Sequence, residues 1–448
     1  MASPFKRYDI RGRLGIELDE AVACRIAQAF ARVTGAGAVV LARDSRDSSP
    51  MLAEAVARGL IAQGVRVLDL GLAGTEEMYF ATAYLGAGGG IMVTASHNPA
   101  DYNGMKLVGP GAAPLSDAAF ARVREMSDTP MDRLPGGAQE DCSRVRSEYV
   151  SHIAGLVGPV GPLRVLVNAG NGAAGPTVDA LAEGLAAKGG KLDLVRMHHE
   201  PDGSFPNGIP NPLLPGNRPV TVAAVRAARV DMGVAFDGDF DRCFLFDGQG
   251  GFLDGEHVVA LLAKAQLALH PGAAIVHDPR VIWAVKDAIR QGGGRSVLAP
   301  TGHVFQKAAM RASGAVYGGE MSAHHYFRDF MACDSGMIPW LLVAGLISAG
   351  GSLADLVSAL RRDFPSSGEI NFTVADTAAV VERVRAELAP QARGEDRTDG
   401  LSLDFGDWRL NLRASNTEPL LRLNVEARGD AGLVARKVAR LTELIAGA

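Results

Sequence analysis

The chain has 448 residues, enough for about three domains of ordinary size, and 47% of them are hydrophobic, enough for several cores. Lys plus Arg (45) nearly balance Asp plus Glu (50), a net charge of −5, which points away from nucleic acid and membrane surfaces as partners. Four scattered cysteines (Cys24, Cys142, Cys243, Cys333) form no CxxC pair, so neither a zinc site nor a dense disulfide framework is expected, and a reducing compartment is. The amino terminus lacks the apolar stretch of a signal peptide, and the longest apolar run, Trp340 to Ile347, falls far short of the ~20 residues that span a bilayer. A cytoplasmic protein is the expectation.

Taken in order, the chain starts with Tyr8-Asp9-Ile10-Arg11-Gly12 and then a helix from Asp19, with Val22, Ile26, Ala29, Phe30 and Val33 at helical spacing until Gly35 and Gly37 end it. Val39 to Ala42 reads as a buried strand, Pro50 to Gln63 as a helix, Val65 to Leu70 as a strand and Glu76 to Tyr84 as a helix. Next comes Gly90-Ile91-Met92-Val93-Thr94-Ala95-Ser96-His97-Asn98-Pro99, an apolar strand that ends in a polar tip stopped by proline. Ligands of open α/β sheets bind at the carboxyl ends of strands. A serine there can act as nucleophile or phosphoryl carrier, or it can simply bond its own turn.

The loose polar stretch Arg133 to Asp141 is a candidate boundary, after which the pattern restarts: Leu163 to Val167 as strand, Thr177 to Ala187 as helix, Leu192 to Met197 as strand. It restarts again near Gly250, with a helix over Glu256 to Leu269 and a strand at Ala274 to His277, and the alternation continues through Val316. This alternation is the mark of parallel sheets with crossover helices. The last part differs: Ile370 to Val374, Leu401 to Phe405 and Trp408 to Leu412 alternate like strands with one wet face, and an amphipathic helix closes the chain from Ala431 to Ala446. Three similar α/β units plus one α+β unit are expected, spanning 1–146, 147–250, 251–364 and 365–448.

Three further stretches suggest chemistry. Asp237-Gly238-Asp239-Phe240-Asp241-Arg242 lies between apolar strands, so its three carboxylates are expected to converge on one cation rather than sit on a solvated turn. An EF-hand is excluded, because its sixth position would be Arg242 and its twelfth Gly248; magnesium suits a few carboxylates plus a phosphate oxygen. Gly318-Gly319-Glu320-Met321-Ser322-Ala323-His324-His325 offers groups that suit vicinal sugar hydroxyls, although alone it reads as an ordinary turn. Arg413-Ala414-Ser415-Asn416-Thr417-Glu418-Pro419, with Arg422 beyond, gathers arginines and hydroxyls on one tip, as a phosphate cradle does. Gly170-Asn171-Gly172-Ala173-Ala174-Gly175, with Asp193 about twenty residues on, matches the dinucleotide fingerprint in form and supports a rival reading as a nicotinamide-dependent dehydrogenase.

Taken together, these stretches resemble the α-D-phosphohexomutase family, and within it the bacterial phosphomannomutase branch, over essentially the whole chain and in the right order. Thr94 to Pro99 is similar to the family's phosphoserine loop, Asp237 to Arg242 to its metal loop, Gly319 to Ser322 to its sugar loop and Arg413 to Pro419 to its phosphate loop; Tyr8 to Gly12 and Asp101 to Lys106 are further family blocks. The resemblance implies a heart-shaped, four-domain enzyme with a central cleft, and it assigns Gly170 to Gly175 to scaffold. It implies that phosphorylated Ser96 interconverts mannose 6-phosphate and mannose 1-phosphate through a hexose 1,6-bisphosphate, which also acts as activator. Some glucose phosphate conversion is implied as well, and the product supplies GDP-mannose. Phosphoglucomutase and phosphoglucosamine mutase are the near alternatives, and a sugar phosphatase using the same serine and metal is a remote one.

Residue by residue, the resemblance gives Mg2+ to Asp237, Asp239, Asp241 and a phosphate oxygen on Ser96. It gives charge stabilisation to Arg11, Lys106 and Arg242, and catalytic places to His97 and His303. Tyr8, Arg280, Gly302 and His324 fall on substrate-binding positions, with Arg280 where many members carry lysine. Glu320 and Ser322 are implied for the sugar 3- and 4-hydroxyls, and Arg413, Ser415, Asn416, Thr417 and Arg422 for the phosphate that is not reacting. Gly74-Thr75-Glu76-Glu77 departs from the Thr-Pro of many relatives. The partners implied are hexose phosphates, for a monomer or homodimer.

Overall fold

The computed structural model describes residues 3–129, 131–415 and 420–447. The chain packs as two compact units, Met1–Phe252 with Asp329–Gly350, and Leu253–Arg328 with Gly351–Ala448.

The first unit contains two mixed sheets. Six strands lie in the order Ile10–Arg13, Tyr102–Val108, Gly90–Val93, Ala38–Arg43, Arg66–Leu72 and Ala138–Asp141. The last four run parallel to one another, and Tyr102–Val108 turns antiparallel to both of its neighbours. The strand that leads to Ser96 therefore lies inside the sheet, and all four of its residues are buried. Helix Glu20–Thr34 starts where Asp19 accepts the Val22 N–H at 2.8 Å and stops at Gly35, whose φ of 63° suits a residue without a Cβ. Its Ile26 and Phe30 are fully buried, at about 1.5–3 kcal/mol each.

The polar stretch from Arg133 conceals a strand. Ala138–Asp141 pairs parallel with Arg66–Asp69 at the sheet edge, and all four residues are exposed, so no apolar alternation marks it. The second sheet places Cys243–Asp247, Met232–Phe236, Leu163–Asn168 and Leu192–Met197 side by side, the first pair antiparallel. The apolar run from Trp340 lies in helix Met337–Ser348, largely buried in this unit, with Glu76 accepting the Met337 N–H at 3.1 Å. Among the described residues no single helix is long and apolar enough to cross a membrane.

In the second unit, strands Arg295–Leu298, Ala274–His277, Tyr317–Gly319 and His325–Phe327 lie side by side, the first three parallel. The carboxy-terminal sheet is antiparallel throughout, in the order Ile370–Phe372, Leu421–Ala427, Trp408–Ala414, Leu401–Asp404, Gly394–Asp396. Its alternating strands predict a wet face, and the structure corrects this: Arg409, Asn411 and Arg413 are 3%, 0% and 2% exposed. The polar face is covered rather than solvated, because its groups bond inward. Arg409 donates to the carbonyls of Pro279 (2.8 Å) and Arg280 (3.0 Å) and to Glu426 (2.7 Å), and Glu426 accepts the N–H groups of Ile282 and Trp283. The loop that carries Arg280 is thereby pinned to the last sheet.

Candidate active site

Ser96 follows the strand Gly90–Val93 and the buried Thr94, whose hydroxyl accepts the Ser96 N–H at 2.8 Å. The serine sits at φ 49°, a left-handed conformation that costs a residue with a Cβ on the order of 1–3 kcal/mol. The turn aims its hydroxyl at the Asp237 to Arg242 hairpin tip: Ser96 Oγ donates to Asp237 Oδ2 at 2.7 Å and accepts from Arg242 Nη2 at 3.2 Å. Gly238 allows this approach, because a Cβ there would lie 2.5 Å from the Ser96 carbonyl oxygen. Behind it, a Cβ on Gly172 would lie 2.7 Å from the Gly238 carbonyl, so the glycines of the supposed dinucleotide fingerprint serve close packing, and Asp193 pairs with Arg164.

Asp237, Asp239 and Asp241 are buried, and one oxygen from each lies within 4.8 Å of the others. Lys106 donates to Asp239 at 2.8 Å and to Asp241, Thr75 Oγ1 donates to Asp239 Oδ2 at 2.5 Å, and Arg242 pairs with Asp237 at 2.7 Å. Burial works against the charged form of Asp239, but Lys106 and the hydrogen bonds to it outweigh burial and hold the carboxylate well below its usual range. Asp239 Oδ1 remains buried with no hydrogen-bond partner. Three convergent carboxylates, one with an orphaned oxygen, fit a hard divalent cation.

His97 Nδ1 faces Ser96 Oγ at 3.1 Å and the Arg242 guanidinium. Burial first, then Arg242, depresses its pKa well below the ordinary value, so the ring is neutral and its Nδ1 accepts. Arg11, from strand Ile10–Arg13, donates to the Thr94 carbonyl at 3.0 Å, which places its guanidinium against the same loop. Tyr8 lies under the Arg7 guanidinium, 5.1 Å from ring centroid to Cζ.

The second unit gathers a different set of groups. Glu320, 1% exposed, accepts the Gly302 N–H at 2.7 Å and the Tyr326 hydroxyl. Ala323 at φ 68° turns the chain, and the His324 ring stacks on Tyr326. Arg280 grips Asp278 at 2.6 Å, reaches Ser322 Oγ at 3.2 Å and approaches Glu320 at 3.9 Å. Arg413 and Arg422 are cross-strand neighbours, and the Ser415 N–H donates to the Leu420 carbonyl at 2.8 Å. His303 opens helix His303–Ser313. Asn416 and Thr417 lie outside the described residues.

Two contributors were invisible to motif reading. The Arg46 guanidinium, 1% exposed, donates to four carbonyls of the serine loop, those of Ser96, Asn98, Pro99 and Tyr102. Its only sequence signal is a charged cluster, Arg43 to Asp47, at the carboxyl end of a buried strand. Thr75 orients Asp239; the sequence marks it only within Gly74-Thr75-Glu76-Glu77, and no spacing links it to the aspartates.

Comparison with known proteins adds an independent line. Models of the phosphoglucomutase/phosphomannomutase alpha/beta/alpha domains I, II and III match residues 2–132, 147–251 and 254–364, and that of the C-terminal domain matches 369–444. A phosphomannomutase of Salmonella montevideo is 51% identical, covering 98% of both chains. The phosphohexose mutases protein of Xanthomonas campestris pv. campestris is 53% identical over 99% of both. The crystal structure of a phosphoglucomutase/phosphomannomutase family protein from Burkholderia thailandensis superposes with a TM-score of 0.87 at 32% identity, covering 99% of this chain and 97% of the other.

Proposed function

The chain belongs to the phosphoglucomutase/phosphomannomutase family, and from that premise we propose that its phosphomannomutase reaction runs through a phosphorylated Ser96. It is an isomerase-type phosphotransferase that interconverts mannose 6-phosphate and mannose 1-phosphate, with glucose phosphates as second substrates. The observation that carries the serine's role is the 2.7 Å bond from Ser96 Oγ to Asp237 in a buried acidic loop. An exposed turn hydroxyl has no use for that neighbourhood.

In the forward step the bond between Ser96 Oγ and phosphorus breaks, a bond from phosphorus to the free sugar hydroxyl oxygen forms, and net the proton that the hydroxyl loses replaces phosphorus on Ser96 Oγ. A hexose 1,6-bisphosphate results. Reversal at the other phosphate returns a phosphoryl group to Ser96. Arg242, Lys106 and Arg11 supply fixed positive charge where negative charge spreads during transfer. Neutral His97 accepts at Nδ1 and keeps Arg242 aimed at Ser96. Asp237, Asp239 and Asp241 would hold Mg2+, which when bound neutralises phosphoryl oxygens. Glu320 and Ser322 take the sugar hydroxyls, Arg280 braces them, and Arg413, Arg422 and Ser415 take the phosphate that is not reacting; the family resemblance extends that phosphate role to Asn416 and Thr417 and gives His303 a catalytic and His324 a substrate-binding role. Hexose 1,6-bisphosphate in solution acts as activator by rephosphorylating Ser96.

Incubation with mannose 1,6-bisphosphate should add one phosphoryl group to the wild type, read by intact mass, and none to Ser96→Ala. Equal loading of both would remove the serine from the mechanism.

A further inference from the structure

The arginines assigned to the phosphate are already engaged by an anion of the chain itself. Glu369 Oε2 lies 3.0 Å from Arg413 Nη2 and 3.6 Å from Arg280 Nη1, and its Oε1 lies 3.3 Å from Arg422 Nη1. Three guanidinium groups from different parts of the second unit thus converge on one carboxylate. Arg413 is 2% exposed and its Nε has no hydrogen-bond partner, so a donor is left over in a buried place. Burial alone would raise the Glu369 pKa, but the three arginines outweigh it and keep the group ionised.

A merely structural counter-ion would be expected to satisfy its cations with short paired bonds. Glu369 makes one good bond and two loose contacts at 3.3 and 3.6 Å, the pattern of an anion too small for its cradle. A phosphate group has more acceptor oxygens and up to twice the charge, and guanidinium forks suit its planar, bidentate recognition. The segment that carries Glu369 is the connection into the last sheet, where Ser367 N–H bonds the Val425 carbonyl and Asn424 holds the Gly368 carbonyl.

Resting on the phosphate-cradle reading above, we propose that Glu369 is a resident competitor that occupies the cradle of Arg413 and Arg422, with Arg280 beside it, and yields it to a substrate phosphate. The reaction needs such a device. A bisphosphate must be held at one end during transfer, then let go so that its other phosphate can face Ser96. A carboxylate that re-enters the cradle lowers the apparent affinity by the fraction of time it sits there and shortens the hold on each phosphate. Glu369 is on this account a positioning residue, since it acts through the arginines and not on the reacting atoms.

The test is calorimetric titration of the full-length enzyme with inorganic phosphate, paired with steady-state kinetics on mannose 6-phosphate. Glu369→Gln should bind phosphate about fivefold more tightly, the size of one screened ion pair, and should lower KM and kcat together. Glu369→Asp, which keeps the charge, should stay near wild type, and Arg413→Ala should bind phosphate more weakly. If Glu369→Gln proves too unstable to titrate, the rise of its melting temperature with added phosphate should exceed that of wild type, because ligand linkage reads the same affinity. Arg413→Ala weakened with Glu369→Gln weakened or unchanged would overturn the competitor and leave the cradle standing. Arg413→Ala unchanged would overturn the cradle itself.

Discussion

Arg46 Nη2 donates to the carbonyl oxygen of Ser96 at 2.9 Å, and the same buried guanidinium holds the carbonyls of Asn98, Pro99 and Tyr102. The serine loop is therefore fixed from beneath by one side chain whose donors are nearly all spent on backbone. Arg46→Met should misplace Ser96 without touching any reacting atom. We predict a loss of about a hundredfold in kcat, as expected for a shift of about 1 Å. Orphaning four carbonyls and the partner Asp44 should also cost about 3 kcal/mol or more. Initial rates and urea unfolding check both.

Magnesium should stabilise the first unit through the aspartate triplet. In wild type, adding Mg2+ after exhaustive chelation should raise the melting temperature, because a ligand that binds only the folded state stabilises it by mass action. Asp239→Asn should lose most of that rise and most of its turnover. A rise of equal size in both proteins would place the cation elsewhere.

What the sequence revealed was side chains whose own chemistry is unusual in context: a serine at a strand end, carboxylates between apolar strands, arginines beside hydroxyls. In the structure Ser96 lies beside Asp237 and Arg242 in one unit, and Arg280 lies beside Ser322 in the other. Arg46, Thr75 and Glu369 escaped because their partners are backbone carbonyls or side chains far along the chain, and no local spacing encodes such pairs. Ala138–Asp141 escaped because an edge strand exposed on every residue carries no apolar alternation. The polar face of the last sheet looked wet because periodicity reports polarity, not what covers it.

His325 is fully buried in its strand with its Nδ1 2.8 Å from the Tyr317 hydroxyl, and burial, with a smaller push from His324, lowers its pKa to about 3. The unfolded chain takes up a proton near the ordinary value of about 6.5, so between about pH 6.5 and 3 the unfolded state binds more protons than the folded one. Stability from this group is full above that window and is lost as the pH falls through it. Between pH 7 and pH 5 the loss should be about 2 kcal/mol. His325→Gln, which keeps a partner for Tyr317, should show a correspondingly smaller drop, measured by urea unfolding at the two pH values.

Mannose and glucose phosphates differ at the 2-hydroxyl, whereas Glu320 and Ser322 are assigned to the 3- and 4-hydroxyls. A site that leaves the differing group untouched discriminates weakly. Glu320→Gln should therefore lower kcat/KM for both sugars by similar factors, about tenfold or more, and leave their ratio within about threefold of wild type. A change confined to one sugar would move Glu320 onto the 2-hydroxyl.

The most direct measurement is a phosphorus NMR time course with mannose 6-phosphate, Mg2+ and a trace of mannose 1,6-bisphosphate. Wild type should build up mannose 1-phosphate to equilibrium, with the bisphosphate signal sustained and no growth of inorganic phosphate, while Ser96→Ala, folded, leaves the spectrum unchanged. Growth of inorganic phosphate in place of mannose 1-phosphate, or isomerisation by Ser96→Ala at the wild-type rate, would contradict a phosphoserine mutase.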